Sequence, residues 1–281
     1  MDYPKIDLSN LKESHNDIRR GITAPENMGE NLAYIIGVLS GDGHISKREY
    51  TIICGGNPKD EIEFYDKMIV NLFYKLFNIK IKAKHFSDGT YGVNFDSKLI
   101  HEFFTKSLGM PTGKKYDYLK IPLIIKQNEI LKKHFIIGLF DTDFGFTLKK
   151  RYKNFNYYPV LSFSSKNYNF TKEIYEEIKS YGFIMSKIFK VFSLDKRVRE
   201  GHTIVYRFEM NGHIELIRWF NTFGTRHPKN IKKFNSWLKI NKNNLRLINK
   251  MKRIAESGFE FSSIFDTSTD LRVMSPTDTP S

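Results

Sequence analysis

The sequence predicts an α+β fold built twice, from two pseudo-symmetric copies of one αββαββα unit. The first observation is an internal repeat. Ile35-Ile36-Gly37-Val38-Leu39-Ser40-Gly41-Asp42-Gly43 matches Ile136-Ile137-Gly138-Leu139-Phe140-Asp141-Thr142-Asp143-Phe144, with Asp143 following Asp42 by 101 positions. The second is a later echo. Val93-Asn94-Phe95, Leu99, Phe104 and Leu108-Gly109 parallel Phe208-Glu209-Met210, Ile214, Trp219 and Phe223-Gly224, offset by 115. The third is that helical and strand periods alternate in the same order in both copies.

Each copy opens with an apolar helix that ends at an acidic residue. Strands follow, Tyr50–Cys54 and Tyr158–Phe163, then an amphipathic helix, Lys59–Leu76 and Asn169–Tyr181. Phe64, Met68 and Leu72, like Ile174 and Ile178, recur at helical spacing. Strands Lys80–His85 and Thr90–Phe95 correspond to Ser186–Phe192 and Thr203–Met210, and Lys98–Leu108 and Gly212–Phe223 are the closing helices. The extra length of the second copy is expected in the charged turn Leu194–His202. Residues 1–30 read as an N-terminal extension, 31–130 and 131–255 as the two copies, and 256–281 as a polar, disordered tail. Pro122 and the charged stretch Lys126–Lys133 mark the join, and a basic helix near Ile231–Ala255 ends the second copy.

The formal net charge is +14, and it is uneven: +1 over residues 1–130, +17 over 131–255 and −4 over 256–281. A polyanion is the expected partner, pressed hardest against the second half. The single cysteine, Cys54, excludes an intrachain disulfide and a cysteine-rich zinc site, and suits a reducing compartment inside the cell. Met1–Arg20 lacks the apolar run of a signal peptide, and its acids disfavour mitochondrial import. No segment is long and apolar enough to span a membrane, so a membrane partner is not expected.

Gly37 and Gly41 lie on one helix face, as do Gly138 and Thr142. Small residues there let two backbones approach, which would bring Asp42 and Asp143 together. A carboxylate at a helix C-terminus opposes the macrodipole, and a second one beside it adds repulsion. Divalent cations relieve both penalties, since hard oxygen ligands suit Mg²⁺. Such a pair can assist phosphodiester hydrolysis. Ordinary terminal acids on two buried helices are the structural alternative.

The segments Leu32–Gly43 and Phe135–Asp143 resemble the two motifs of the LAGLIDADG homing endonuclease family, and the resemblance extends over roughly residues 30–240. It implies paired motif helices at the interface of two subdomains, antiparallel sheets forming a DNA-binding saddle, and Mg²⁺-dependent double-strand cleavage by a monomer. Mn²⁺ or Ca²⁺ would substitute in binding. Asp42 and Asp143 inherit the metal-binding role, with the carbonyls of Gly41 and Thr142 beside them. The family's basic residue after the first strand pair falls on Lys166, a candidate for stabilising charge or orienting water, with Gly56 opposite it in the first copy. Phe144 stands where the family has glycine after the second acid, which puts Asp143's placement in doubt. Asp141 is read as a decoy that faces solvent or caps a neighbour.

The resemblance also implies that outward strand residues read DNA. His44, Ser46, Lys47 and Arg48 follow the first motif, and Lys149, Lys150, Arg151 and Tyr152 follow the second. Lys82, Lys84 and His85 have rough counterparts in Lys187, Lys190, Arg197 and Arg199. Arg226-His227-Pro228-Lys229-Asn230, with Lys232 and Lys233, suits a phosphate clamp, Lys229 above all. His101 and His213 read as structural. Double-stranded DNA is the expected partner in an intron- or intein-like element. Two alternatives stay open: an RNA maturase acting on host intron RNA, and a cleavage-inactive DNA-binding relative.

Overall fold

The structure is a computed structural model that describes residues 3–151, 155–194 and 201–241. Tyr152, Arg197, Arg199 and the segment 242–281 lie outside the described residues.

The chain begins with α1 (His15–Arg20), capped by a reciprocal Ser14–Asp17 pair. Asp17 is buried and also accepts from Ser97 Oγ at 2.8 Å, which straps the N-terminal segment to the first copy. That copy runs α2 (Glu30–Gly41), β1 (Gly43–Ile45), β2 (Thr51–Gly56), α3 (Pro58–Phe64), α4 (Val70–Phe77), β3 (Lys84–His85), β4 (Tyr91–Asp96) and α5 (Lys98–Glu102). A wide turn, Tyr65–Ile69, joins α3 to α4. It inserts one residue into the helical repeat, so Phe64 and Tyr65 both face the core and Met68 is only partly buried.

After α6 (Leu123–Lys126), the second copy runs α7 (Glu129–Asp143), β5 (Phe144–Arg151), β6 (Phe155–Ser165), α8 (Tyr168–Ser180), β7 (Phe189–Leu194), β8 (His202–Asn211) and α9 (His213–Thr222). Helix α10 (Pro228–Asn241) follows. Asn128 caps α7, so the charged stretch read as the join divides between the end of α6 and the start of α7.

The two sheets are antiparallel, ordered β1-β2-β4-β3 and β5-β6-β8-β7. Their registers correspond. Cys54 pairs with Gly43 and Val93, as Phe163 pairs with Phe144 and Phe208. The offset between copies is therefore 101 at the motif, 109 at Cys54/Phe163 and 115 at Val93/Phe208. More than half of the added length lies in the β5–β6 hairpin. This corrects the expectation that placed it in Leu194–His202. Strand periodicity could not show this, because a hairpin lengthened by an even number of residues keeps its alternation.

Candidate active site at the paired motif helices

Helices α2 and α7 pack through their glycines. A β-carbon on Gly37 would stand 2.9 Å from Leu139 N, and one on Gly138 would stand 3.0 Å from both Tyr34 C and Val38 N. Real β-carbons do not approach backbone so closely, so only glycine permits this crossing. Apolar residues bury the rest of both helices, with Leu32–Gly41 and Phe135–Asp141 all buried. The motif ends meet as a result. A β-carbon on Gly41 would lie 2.8 Å from Thr142 Cβ and 3.3 Å from Asp143 Cγ.

Asp42 caps α2 and Asp143 is the last residue of α7. Burial, then the charge of Asp143, then that of Glu61, pushes the Asp42 carboxyl up to about 8. Burial pushes Asp143 up to about 6, and Lys115 opposes that rise. Two carboxylates thus share a poorly solvated place where removing both protons is costly.

Lys115, which the sequence analysis did not single out, is the cation that acts on both acids. It comes from the segment linking the copies. Its Nζ donates to the carbonyl oxygens of Leu39 (3.2 Å), Gly43 (2.7 Å) and Gly41. A lysine satisfying the last carbonyls of a helix fits the macrodipole. Because the lysine is 73 positions from Asp42, no local pattern in the sequence announces it.

A third acid, Glu61 of α3, enters from the first copy. Its Oε2 accepts from Asn57 N at 2.9 Å, and its Oε1 lies 3.9 Å from Lys229 Nζ. A β-carbon on Gly56 would lie 2.9 Å from Glu61 Cδ and 3.5 Å from Asp42 Oδ2. A side chain at position 56 would first meet the Glu61 carboxylate, the movable end of a flexible side chain. His227 Nε2 lies 4.0 Å from Glu61 Oε1, and its Nδ1 accepts from Lys229 N at 3.1 Å. Burial pushes this imidazole down to about 4, so it is neutral at pH 7 and the approach is no ion pair. Lys229, read as a phosphate clamp, bridges to Asp60 (3.2 Å) and Glu61 of the other copy.

Lys166 sits just beyond β6 with its Nζ 5.4 Å from the Tyr116 ring centroid, next in the chain to Lys115. In register Gly56 matches Ser165, while Asn57 and Asn167 both cap the helix that follows. Lys166 is therefore one extra residue between strand and cap.

Phe144 follows Asp143 without an intervening turn. It passes directly from α7 into β5 and packs on Phe163 (4.9 Å), Trp219 (5.3 Å) and Phe140 (5.5 Å between centroids). Gly43 has no such freedom, because a β-carbon there would lie 2.5 Å from Leu39 Cα. Asp141 is buried and does not face solvent. It accepts from Tyr34 OH (2.8 Å), Arg226 N (2.9 Å) and Thr225 Oγ1, tying α2 to the segment before α10.

Strand alternation sets the polar sheet faces. Phe144, Phe146, Phe163, Phe208 and Met210 point to the core, which leaves Thr147, Lys149, Ser162, Ser164, Arg207 and Glu209 on the other face. Lys149 Nζ lies 3.9 Å from Glu209 Oε1, and Arg151 stacks 4.7 Å over Tyr158. Arg207 was missed in the sequence because β8 reads as mixed apolar and charged. On the first sheet, His44, Asn94 and Lys84 share the corresponding face by register. Lys47 and Arg48 are exposed in the β1–β2 turn, where Ser46 Oγ accepts from Arg48 N and Glu49 N. His85 packs on Tyr91 (4.8 Å), and Lys190 pairs with Tyr206 on the helix-side face. Lys82 and Lys187 are exposed outside the strands, and Lys150 is exposed at a bulge.

No family model matches the chain. An uncharacterized protein of Methanocaldococcus jannaschii is 31% identical over 146 residues, covering 51% of each chain. The replication factor C small subunit of the same organism is 27% identical over 220 residues, which are 78% of this chain and 11% of that protein. The chain thus spans about half or less of the curated relatives it matches. Among solved structures, I-DmoI in complex with DNA and Mn is 20% identical with a TM-score of 0.44, covering 69% of this chain and 96% of that one. Full-length DUF199/WhiA from Thermatoga maritima is 11% identical with a TM-score of 0.45, covering 89% and 70%.

Proposed function

We propose that this chain is a monomeric, divalent-metal-dependent DNA endonuclease of the LAGLIDADG homing type, which hydrolyses both strands of a long specific site. The observation that carries the reading is the meeting of Asp42 and Asp143 at the ends of two glycine-packed helices, where the two sheets begin. A pair of desolvated, mutually repelling carboxylates destabilises the fold unless a cation answers it.

The donors fit a hard cation. Asp42 and Asp143 supply carboxylate oxygens, and Gly41 and Thr142 supply main-chain oxygens at the same place, a set that suits Mg²⁺ completed by water and phosphate. Among the described residues no three His, Cys, Asp or Glu side chains converge as a full protein cage. A nuclease site that shares its cation with substrate needs no such cage. The cation supplies Lewis-acid stabilisation of phosphoryl charge and acidifies the attacking water. The rest falls to the chain. Lys115 holds positive charge at the reacting centre, Lys166 flanks it, and the polar sheet faces with Lys84, Lys149, Arg151 and Arg207 hold the duplex. In each half reaction water adds to phosphorus, one P–O ester bond breaks, and the leaving oxygen takes up a proton.

The test is incubation with Mg²⁺ and a duplex library, followed by sequencing of the cut ends. Defined double-strand cuts are expected, and they should fall roughly 100-fold or more in Asp42→Asn and Asp143→Asn while DNA affinity is retained. Specific binding without cleavage under Mg²⁺ or Mn²⁺ would leave a DNA-binding protein and remove the enzyme.

A further inference from the structure

The Lys115 ammonium and a divalent cation need the same atoms. Lys115 Nζ donates to the carbonyl of Gly41, one of the oxygens assigned above to the metal, and to those of Leu39 and Gly43 on either side. It is also the cation acting on both Asp42 and Asp143. A lysine is a compact, flexible point charge with three donors, able to satisfy three carbonyls and then release them while its charge stays beside the site. The segment that delivers it suits such movement. Lys115 opens a single short turn, Lys115–Asp117, two residues after Gly113, which has a φ of +66°.

We infer that Lys115 is a tethered stand-in cation. It holds the paired helix ends while no metal is bound, and a divalent ion must displace it from the Gly41 carbonyl to enter. This deepens the proposed function and rests on that reading of Asp42 and Asp143. Its consequence is competition. The chain's affinity for metal is reduced by the fraction of time the ammonium occupies the site, and in exchange the carboxylate pair is never left without a counter-charge.

The experiment uses the full chain and CaCl₂ alone. The ¹H–¹⁵N signals of lysine ammonium groups are recorded during a Ca²⁺ titration, and Ca²⁺ binding is measured by calorimetry for the wild type and for Lys115→Met. A buried, three-fold hydrogen-bonded ammonium exchanges slowly, so the wild type should show one protected signal that is absent from the variant. Ca²⁺ should abolish this signal in step with binding. The variant should bind Ca²⁺ about tenfold tighter, as expected if the ammonium holds the site about nine-tenths of the time. The tightening should persist at high salt, where a merely long-range repulsion is screened. The wild-type titration stands by itself should the variant not fold. If Ca²⁺ binds in a manner lost in Asp42→Asn while the protected signal remains, the stand-in role is overturned and the metal site survives. Absence of Ca²⁺ binding in both proteins overturns the stand-in role and the metal-dependent reading together.

Discussion

Gly138 approaches the backbone of Tyr34 so closely that a β-carbon would stand 3.0 Å from the Tyr34 carbonyl carbon, nearer than side chains pack. A β-carbon on Gly37 would stand the same 3.0 Å from Phe135 C by pseudo-symmetry. Gly138→Ala must therefore push α7 away from α2 across a core with no slack. A loss of about 3 kcal/mol or more is expected in chemical denaturation, at the upper end of overpacking costs. A loss under about 1 kcal/mol, the ordinary range for surface substitutions, would show that the helices are not locked by this contact.

Phe144 is expected to be structural and not a defect of the second motif. Phe144→Gly, which copies Gly43 of the first half, removes a ring packed among Phe140, Phe163 and Trp219. Thermal or urea unfolding should report a loss of about 3–5 kcal/mol. A variant as stable as the parent, with faster cleavage, would mean that the aromatic had displaced Asp143 after all.

The His227 imidazole gives a pH signature. Burial holds its pKa at about 4 against an unfolded value of 6.5, so the folded state binds fewer protons between those values. A depressed folded pKa gives stability that is present above pH 6.5 and lost as pH falls toward 4. The amount is roughly 3 kcal/mol, at 1.36 kcal/mol per unit. His227→Phe keeps the stack on Phe64 (4.3 Å between centroids) but removes the titration. Its stability should depend less steeply on pH between 6.5 and 4; an unaltered slope would assign the dependence to other groups, such as His134.

Arg207 lies in register with Ser164 on the polar face of the second sheet, and its Nε is shielded with no hydrogen-bond partner among the described residues. Under the proposed function Arg207→Ala should weaken DNA binding by about 1–3 kcal/mol if it reads a base. If it holds a phosphate instead, the salt slope of binding should drop by about one. Affinity and salt slope both unchanged would place the duplex elsewhere.

The paired motif and the matching of Val93 with Phe208 were legible because both are local patterns repeated at fixed spacing. Apolar spacing placed the helices after β2 and β6 to within about a residue, but it did not show the caps at Asn57 and Asn167 that start them or the wide turn at Tyr65–Ile69. Lys115 and Glu61 were not legible. Each reaches the site from an element whose own sequence gives it an ordinary role, a linker lysine in one case and a first-turn helix acid in the other. What joins them to Asp42 is tertiary approach, which leaves no periodic trace. Position 56 shows that gap: the sequence set Gly56 opposite Lys166, whereas the strand registers match it with Ser165.

The β5–β6 hairpin is eight residues longer than its first-copy counterpart, measured from the registers of Phe144 with Phe163 and Gly43 with Cys54. Shared between two strands, that is about four residues each, or about 13 Å of added reach. Along a duplex rising about 3.4 Å per step, this corresponds to about four base pairs. A nucleic acid lying across both halves would meet one long arm and one short one. Its two flanks would be covered unequally, and a perfect palindrome would match the molecule poorly.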